Sequence, residues 1–220
     1  VQALHRLRES QIKMRTSLCN RVRGLLAEFG IILTKGVSVI RRSLPDILED
    51  AENGLSDLFR QMLLQSQRQF LELDEHIAYY DKLIQVQSQS NDACQRLQAI
   101  PGFGPIVSSV FVSYVGDGQG YRRGRDVSAS LGLVPMQHSS GGKDQLLGIS
   151  KRGDRYLRCL LVHGARAAVR AAAKKDDNLS RWINRIRDKR GIHKATVALA
   201  NKLARIGWAI LYYKTEYQSA

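Results

Sequence analysis

Residues 136–150 read MQHSSGGKDQLLGIS, and Ser139, Ser140, Gly141, Gly142 and Lys143 within them are the densest group of chemically useful residues in the chain. Glycines let a backbone come close to a ligand and turn successive N–H groups toward an anion. A serine hydroxyl in such a loop, flanked by Lys143 and soon after by Lys151 and Arg152, is equipped to attack a phosphodiester. Fixed cations stabilise the charge that builds on the phosphoryl oxygens. A passive phosphate-binding loop would use the same glycines and lysine, so the residues alone leave nucleophile and clamp both open. The GxxxxGK[ST] spacing of a nucleotide-hydrolysing loop is absent. His138 adjoins the serines and His163 follows later, but adjacency in sequence does not bring side chains into contact.

The next segment supplies more positive charge. At 100° per residue, a helix over residues 154–173 gathers Arg155, Arg158, Arg166 and Arg170 within a third of its circumference. Leu157, Leu160, Leu161, Gly164, Ala168 and Ala171 fall on the other side and form its packing face. Four arginines with no interspersed Glu lack the i,i+4 partners that usually neutralise such a stripe, so phosphate contact is expected of all four. Arg181, Arg185, Lys189 and Arg190 continue the basic surface on a second helix ended by Gly191, with Trp182 and Ile186 read as core. A last helix over 192–213 turns Val197, Leu203, Ile206, Ile210 and Leu211 inward, with Trp208, Tyr212 and Tyr213 as packing aromatics.

The elements that must position these residues are helical, and the spacing predicts an all-α fold: long helices and a coiled-coil arm, then a compact helical domain. Leu4, Leu7, Met14, Leu18, Val22, Leu25 and Phe29 keep one face of a first helix apolar until Gly30. Ser43-Leu44-Pro45-Asp46 reads as the start of a second, with Pro in its first turn and Glu49, Asp50 and Glu52 following. From Phe59 to Cys94 a seven-residue repeat sets Leu63, Phe70, Ile77, Ile84 and Asn91 at one core position, and Phe59, Ser66, Leu73, Tyr80, Gln87 and Cys94 at the other. That is a coiled-coil arm in which Asn91 would fix register, although antiparallel pairing within one chain gives the same pattern. At Ile100-Pro101-Gly102-Phe103-Gly104-Pro105 the composition changes, marking a boundary between residues 1–99 and 100–220. The two glycines suit a turn whose N–H groups open the next helix and hold a phosphate, or a turn that is merely structural.

Charge separates the same two halves. Residues 1–100 carry 13 Lys and Arg against 12 Asp and Glu, whereas residues 101–220 carry 21 against 8. Almost the whole net charge of +14 is therefore C-terminal. A field of one sign this dense attracts polyanions, nucleic acid first among them. An apolar stretch long enough to span a membrane is absent, and three widely spaced cysteines form neither a disulfide framework nor a zinc set. A reducing cytoplasm fits, no metal site is expected in this chain, and the opening Val1 reads as a cut from something longer.

The runs IPGFG at 100–104, SLGLVPMQHSSGGK at 130–143 and GISKRGDRYLRCLLVHGARA at 148–167 resemble the C-terminal half of a particular group of insertion-sequence transposases. In that group a RuvC-like nuclease domain is joined to a separate serine-bearing domain, and a bridge RNA guides the reaction. The resemblance covers nearly all of residues 100–215, and residues 1–99 resemble the family's connecting helices and coiled coil. It implies that Ser140, with Ser139 as the adjacent fallback, forms a covalent phosphoserine link to DNA. Lys143, Lys151, Arg152, Arg155, Arg158, Arg166 and Arg170 would then position nucleic acid. It implies a magnesium-binding carboxylate cluster in a RuvC-like domain upstream of Val1, no cofactor in this chain, and an active site assembled from both halves by different subunits. DNA, a bridge-type guide RNA and further copies of the chain, as dimer or tetramer through the coiled coil, are the implied partners, in a bacterial cytoplasm at the nucleoid. The alternative is a non-catalytic module that binds nucleic acid and assembles subunits.

Overall fold

A computed structural model describes residues 1–140 and 143–218; of residues 138–140 and 143–146 the backbone is described and the side chains are not. In chain order the elements are α1 (Gln2–Glu28), α2 (Val37–Glu49), α3 (Asp57–Gln89), α4 (Asp92–Gln98), α5 (Pro105–Val115), α6 (Gly124–Ser130), strands β1 (Pro135–Ser140) and β2 (Lys143–Ile149), α7 (Arg155–Ala172), α8 (Asn178–Arg190) and α9 (Ile192–Tyr213). The fold is all-α, with one antiparallel hairpin. No helix among the described residues is long and apolar enough to cross a membrane. The chain forms two compact units, residues 2–83 and residues 84–220.

The N-terminal unit is a helical hairpin with a third helix against it. Leu18, Val22 and Leu26 of α1, Ile40 and Leu44 of α2, and Phe59, Leu63, Phe70 and Leu73 of α3 share one core. Ion pairs Arg8–Asp81 and Arg15–Asp74 run α1 antiparallel to α3, and Arg41 of α2 pairs with the same Asp74 at 2.5 Å. Burial tends to raise the Asp74 carboxyl, but hydrogen bonds from Arg15 and Arg41 outweigh it and hold the group below the usual carboxylate range. At the heptad positions of α3, Phe59, Leu63, Phe70 and Leu73 are thus covered by α1 and α2 of the same chain, whereas Gln87 is exposed. Arg60 closes the α2–α3 connection: its guanidinium donates to the carbonyls of Leu48 at 3.0 Å and Asp50 at 2.6 Å, satisfying acceptors that the end of α2 leaves free.

Two expectations fail here for stated reasons. The second helix begins at Val37, not at Ser43, and carries Pro45 in its interior. Its apolar face, with Ile40 and Leu44 buried, outweighs the cost of one missing N–H. The repeat does not run unbroken through Asn91. That residue stands at the N-cap of α4, its side chain accepting from the Cys94 N–H at 3.0 Å, so it starts a helix and sets no coiled-coil register.

In the C-terminal unit the core gathers around α9. Leu199, Ala200, Leu203, Ala204 and Leu211 pack against Leu157, Leu161, Ala165 and Val169 of α7, and Phe111 of α5 and Val127 of α6 complete the interior. Alanines on both α7 and α9 let these two helices approach closely. Phe111 meets Phe103 edge to face at 5.4 Å and lies where a side chain at Gly207 of α9 would stand, within 3.0 Å of a Cβ built there. Gly102, at φ +94°, presses its backbone on Gly164 of α7; a Cβ at Gly102 would stand 2.7 Å from the Gly164 carbonyl oxygen. That gives the 100–105 turn a packing role.

Candidate nucleic-acid interface

Residues 136–150 were expected to form a glycine-rich loop; they form most of a β-hairpin. Ser140 is the Cα partner of Lys143, and Ser139 of Asp144, on either side of residues 141 and 142, which lie outside the described residues. Because strands rise ~3.4 Å per residue, Ser140 stands roughly 17 Å along β1 from the hairpin's root at Pro135. The side chains of Ser139, Ser140 and Lys143 lie outside the described residues.

The root is fixed far more firmly than a loop would be. Ser150 N–H donates to the Val134 carbonyl at 2.9 Å, and Lys151 N–H to the Gly132 carbonyl at 3.1 Å. The two chains lie so close that a Cβ at Gly153 would fall 1.7 Å from the Ser130 carbonyl oxygen, and one at Gly132 2.3 Å from that of Arg152. Both glycines also have positive φ, a conformation costly for other residues. Asn201 of α9 donates through Nδ2 to the Leu133 carbonyl at 3.1 Å. Arg158 of α7 completes the clasp, its Nη1 donating to the carbonyls of Leu131 at 3.0 Å and Arg152 at 2.8 Å.

Arg158 therefore does not belong to the phosphate-binding stripe expected of it. It is buried, 8% exposed, because on the helical wheel it falls between Ala165 and Val169, both core residues. Arg155, Arg166 and Arg170 do lie on the outer face of α7, exposed, with Cys159 exposed among them. Asp154 caps this helix by accepting from the Leu157 N–H at 2.8 Å. Arg152 is exposed beside the root.

A groove of about 1450 Å³ lies beside the root, between the hairpin, α6, α8 and α9. Its apolar floor includes Leu133, Ile149, Val197 and Ile206, and its rim carries Arg123, Arg125, Lys151, Lys194, Lys202 and Arg205. Among the described side chains, no carboxylate lines it. Of the described residues expected from sequence to contact nucleic acid, Lys151 lines this groove; Arg152, Arg155, Arg166 and Arg170 do not. Trp182, expected in the core, is half-buried at the groove wall, with the Lys202 ammonium 4.5 Å from its ring centroid. A smaller hollow of about 400 Å³ shares Trp182 and Lys202 and adds Arg181 and Arg185. Asp177 caps α8, accepting from the backbone N–H and hydroxyl of Ser180, and those hydrogen bonds hold its carboxyl below the ordinary value. Apart from Lys151, the rim is hidden in the sequence because its members come from the start of α6 and from α9; a periodic signal exists only in Lys194, Lys202 and Arg205, eight and three residues apart on α9. Among the described residues, no three His, Cys, Asp or Glu side chains come together as metal ligands would.

Sequence comparison gives this geometry a context. Residues 94–180 match the family described as Transposase IS116/IS110/IS902 family. A transposase for insertion sequence element IS1111A from Coxiella burnetii is 42% identical over 218 residues, which cover 99% of this chain and 60% of that protein. A probable family 20 transposase from Pseudomonas aeruginosa is 43% identical over 219 residues, covering 99% of this chain and 65% of its own length. A transposase for insertion sequence element IS1328 from Yersinia enterocolitica is 37% identical over 210 residues, with 96% and 62% covered. The chain thus spans about three-fifths of the length of these curated relatives.

Proposed function

We propose that this chain belongs to the IS116/IS110/IS902 transposase family, whose model residues 94–180 match, and that it is the serine-bearing, nucleic-acid-binding part of a DNA transposase. The observation that carries the reading is a single one: Ser139, Ser140 and Lys143 lie on the strands of a hairpin whose root is clasped beside a groove with six cations and, among the described side chains, no carboxylate. Rigid seating of the root gives a reacting group at the far end a defined position relative to bound DNA.

In this reading Ser140, with Ser139 beside it, is the nucleophile. Its Oγ attacks the phosphorus of a DNA phosphodiester; the Oγ–P bond forms as the P–O bond to one deoxyribose breaks. The serine proton passes by way of water to the released deoxyribose hydroxyl. Because a phosphodiester linkage is kept in the phosphoserine, the strand can later be joined to another end by the reverse exchange. Lys143, Lys151 and Arg152 supply positive charge along the hairpin, and Arg155, Arg166 and Arg170 hold the duplex by its phosphates. Selection of target and donor by a bridge-type guide RNA, assembly as a homo-oligomer, magnesium held in a RuvC-like domain outside this chain, and action at the bacterial nucleoid are parts of the same proposal.

The test uses the full-length transposase. Ser140→Ala is expected to abolish strand cleavage while duplex binding stays within about twofold of wild type. Cleavage retained by both Ser140→Ala and Ser139→Ala would remove the serine chemistry and leave a nucleic-acid-binding module.

A further inference from the structure

We propose that the groove between the hairpin root, α6, α8 and α9 is a track for single-stranded DNA, a few unpaired nucleotides with their bases on the apolar floor and their phosphates on the cationic rim. The inference rests on the transposase reading for its choice of DNA; the groove itself stands on its own geometry.

Three features select this ligand. A duplex keeps its bases stacked inside and offers a protein mostly phosphate and groove edges, which flat or convex basic surfaces satisfy; the stripe Arg155, Arg166 and Arg170 on α7 is such a surface. The groove instead has an apolar floor, and an apolar floor is stabilised only by a ligand that brings apolar faces to it. Its volume, about 1450 Å³, has room for on the order of four nucleotides, the low end of usual single-strand sites.

The second feature is charge. Arg125, Lys151, Lys194, Lys202 and Arg205 on the rim make no ion pair among the described residues, whereas Arg123 pairs with Asp126 at 3.3 Å. Unneutralised cations spaced around an apolar trough match the alternation of phosphate and base along an unpaired strand, and oppose an acid-free apolar peptide.

The third is continuity. Trp182 and Lys202 belong to both the groove and the adjoining hollow that bears Arg181 and Arg185, so a strand leaving the groove meets further cations on α8. The Trp182 ring stands at the junction, with the Lys202 ammonium over its face. Neutral polar side chains are few along this path, and Asn201 is already engaged with the Leu133 carbonyl. The floor therefore offers little to a 2′-hydroxyl or to base edges, and binding is expected to be insensitive to sequence and to favour DNA over RNA.

The experiment measures anisotropy of labelled octathymidylate on this chain at fixed salt, with octauridylate and an eight-base-pair duplex as comparison probes. Octathymidylate is expected to bind at least tenfold more tightly than the short duplex, and more tightly than octauridylate. The double variant Lys202→Glu/Arg205→Glu should weaken octathymidylate binding at least tenfold. Arg21→Glu/Lys35→Glu, the same charge change on exposed residues of the N-terminal unit, should alter it less than threefold. Trp182→Phe should remove most of the tryptophan quenching that octathymidylate causes, because Trp208, the other tryptophan, also lines the groove but is only 7% exposed, with its indole N–H held by the Gly118 carbonyl. Thermal unfolding checks that each variant folds; if the double variant does not, Lys194→Glu with Trp182→Phe makes the same comparison. The inference is overturned by unchanged binding in the folded variants, by a preference for octauridylate or duplex, or by uptake of an apolar dye in the groove without octathymidylate binding, which would mark a protein-docking surface. Octathymidylate binding that persists when Ser140→Ala leaves cleavage intact would keep the groove and sink only the serine chemistry.

Discussion

The guanidinium of Arg158 donates to the carbonyl oxygen of Arg152, six residues earlier in the chain, at 2.8 Å. The same nitrogen holds Leu131 on the opposite side of the hairpin root. One buried cation thereby ties the segment entering the hairpin to the segment leaving it, and both to α7.

Removing that cation should loosen the hairpin without touching nucleic-acid affinity directly. Arg158→Met leaves two carbonyls without their donor and is expected to cost on the order of 3 kcal/mol. Urea unfolding measures the loss, and amide exchange at Ser150 and Lys151 should quicken more than exchange in α9. An unperturbed hairpin in this variant would show that the backbone ladder suffices.

The exposed arginines of α7 should behave in the opposite way. Replacing Arg155, Arg166 and Arg170 together by Gln is expected to leave stability within about 0.5 kcal/mol. It should lower the log–log salt slope of duplex binding by roughly three, at about 0.9 per phosphate contact. Arg158→Met should leave that slope unchanged. A triple variant with the wild-type slope would take these side chains out of the interface.

Cys159 offers a probe of the same face. It is the exposed cysteine, whereas Cys19 and Cys94 are buried, and burial pushes the Cys94 thiol up to about 11, further suppressing its reactivity. Alkylation by a maleimide should therefore modify Cys159 alone, and bound duplex should slow it at least fivefold. Equal rates with and without DNA would mean that the duplex does not cover α7.

His5 predicts an acid limb in the stability of the N-terminal unit. Burial, reinforced by the positive charge of Arg8, lowers its pKa from 6.5 to about 4. Between these values the unfolded chain binds the proton and the folded chain does not, so stability is complete above about pH 6.5 and falls as the pH approaches 4. The loss attributable to His5 reaches at most about 3 kcal/mol. Hydrogen exchange of α1 at pH 7, 5.5 and 4.5 measures it, and His5→Gln should flatten the profile. The same acid sensitivity in that variant would assign it to other groups.

Much of the C-terminal helical layout is legible in the amino-acid order because its punctuation is strong. Asp154 and Asp177 cap α7 and α8, and Gly191 separates α8 from α9. Pro45 misleads because a proline at a helix start and one tolerated inside a well-packed helix look alike until the burial of Ile40 and Leu44 is known. Asn91 misleads because its spacing continues a heptad, while its side chain is also among the best helix caps. The hairpin is hidden by weak strand character: PMQHSS and KDQLLGI lack clear period-2 patterning. Arg158 shows the limit of a helical wheel, where a residue at the edge of a polar arc can equally be the edge of the core. The groove is least legible of all, since Arg123 and Arg205 meet only after α6 has packed on α9.

The central claim is that a hairpin serine becomes bonded to DNA. Incubating the full-length protein with labelled substrate DNA, denaturing, digesting with protease and nuclease and sequencing the adduct by mass spectrometry should find a nucleotide esterified to Ser140. A protein free of covalent DNA under conditions that cleave the substrate, or an adduct on a residue outside Ser139 and Ser140, would contradict it.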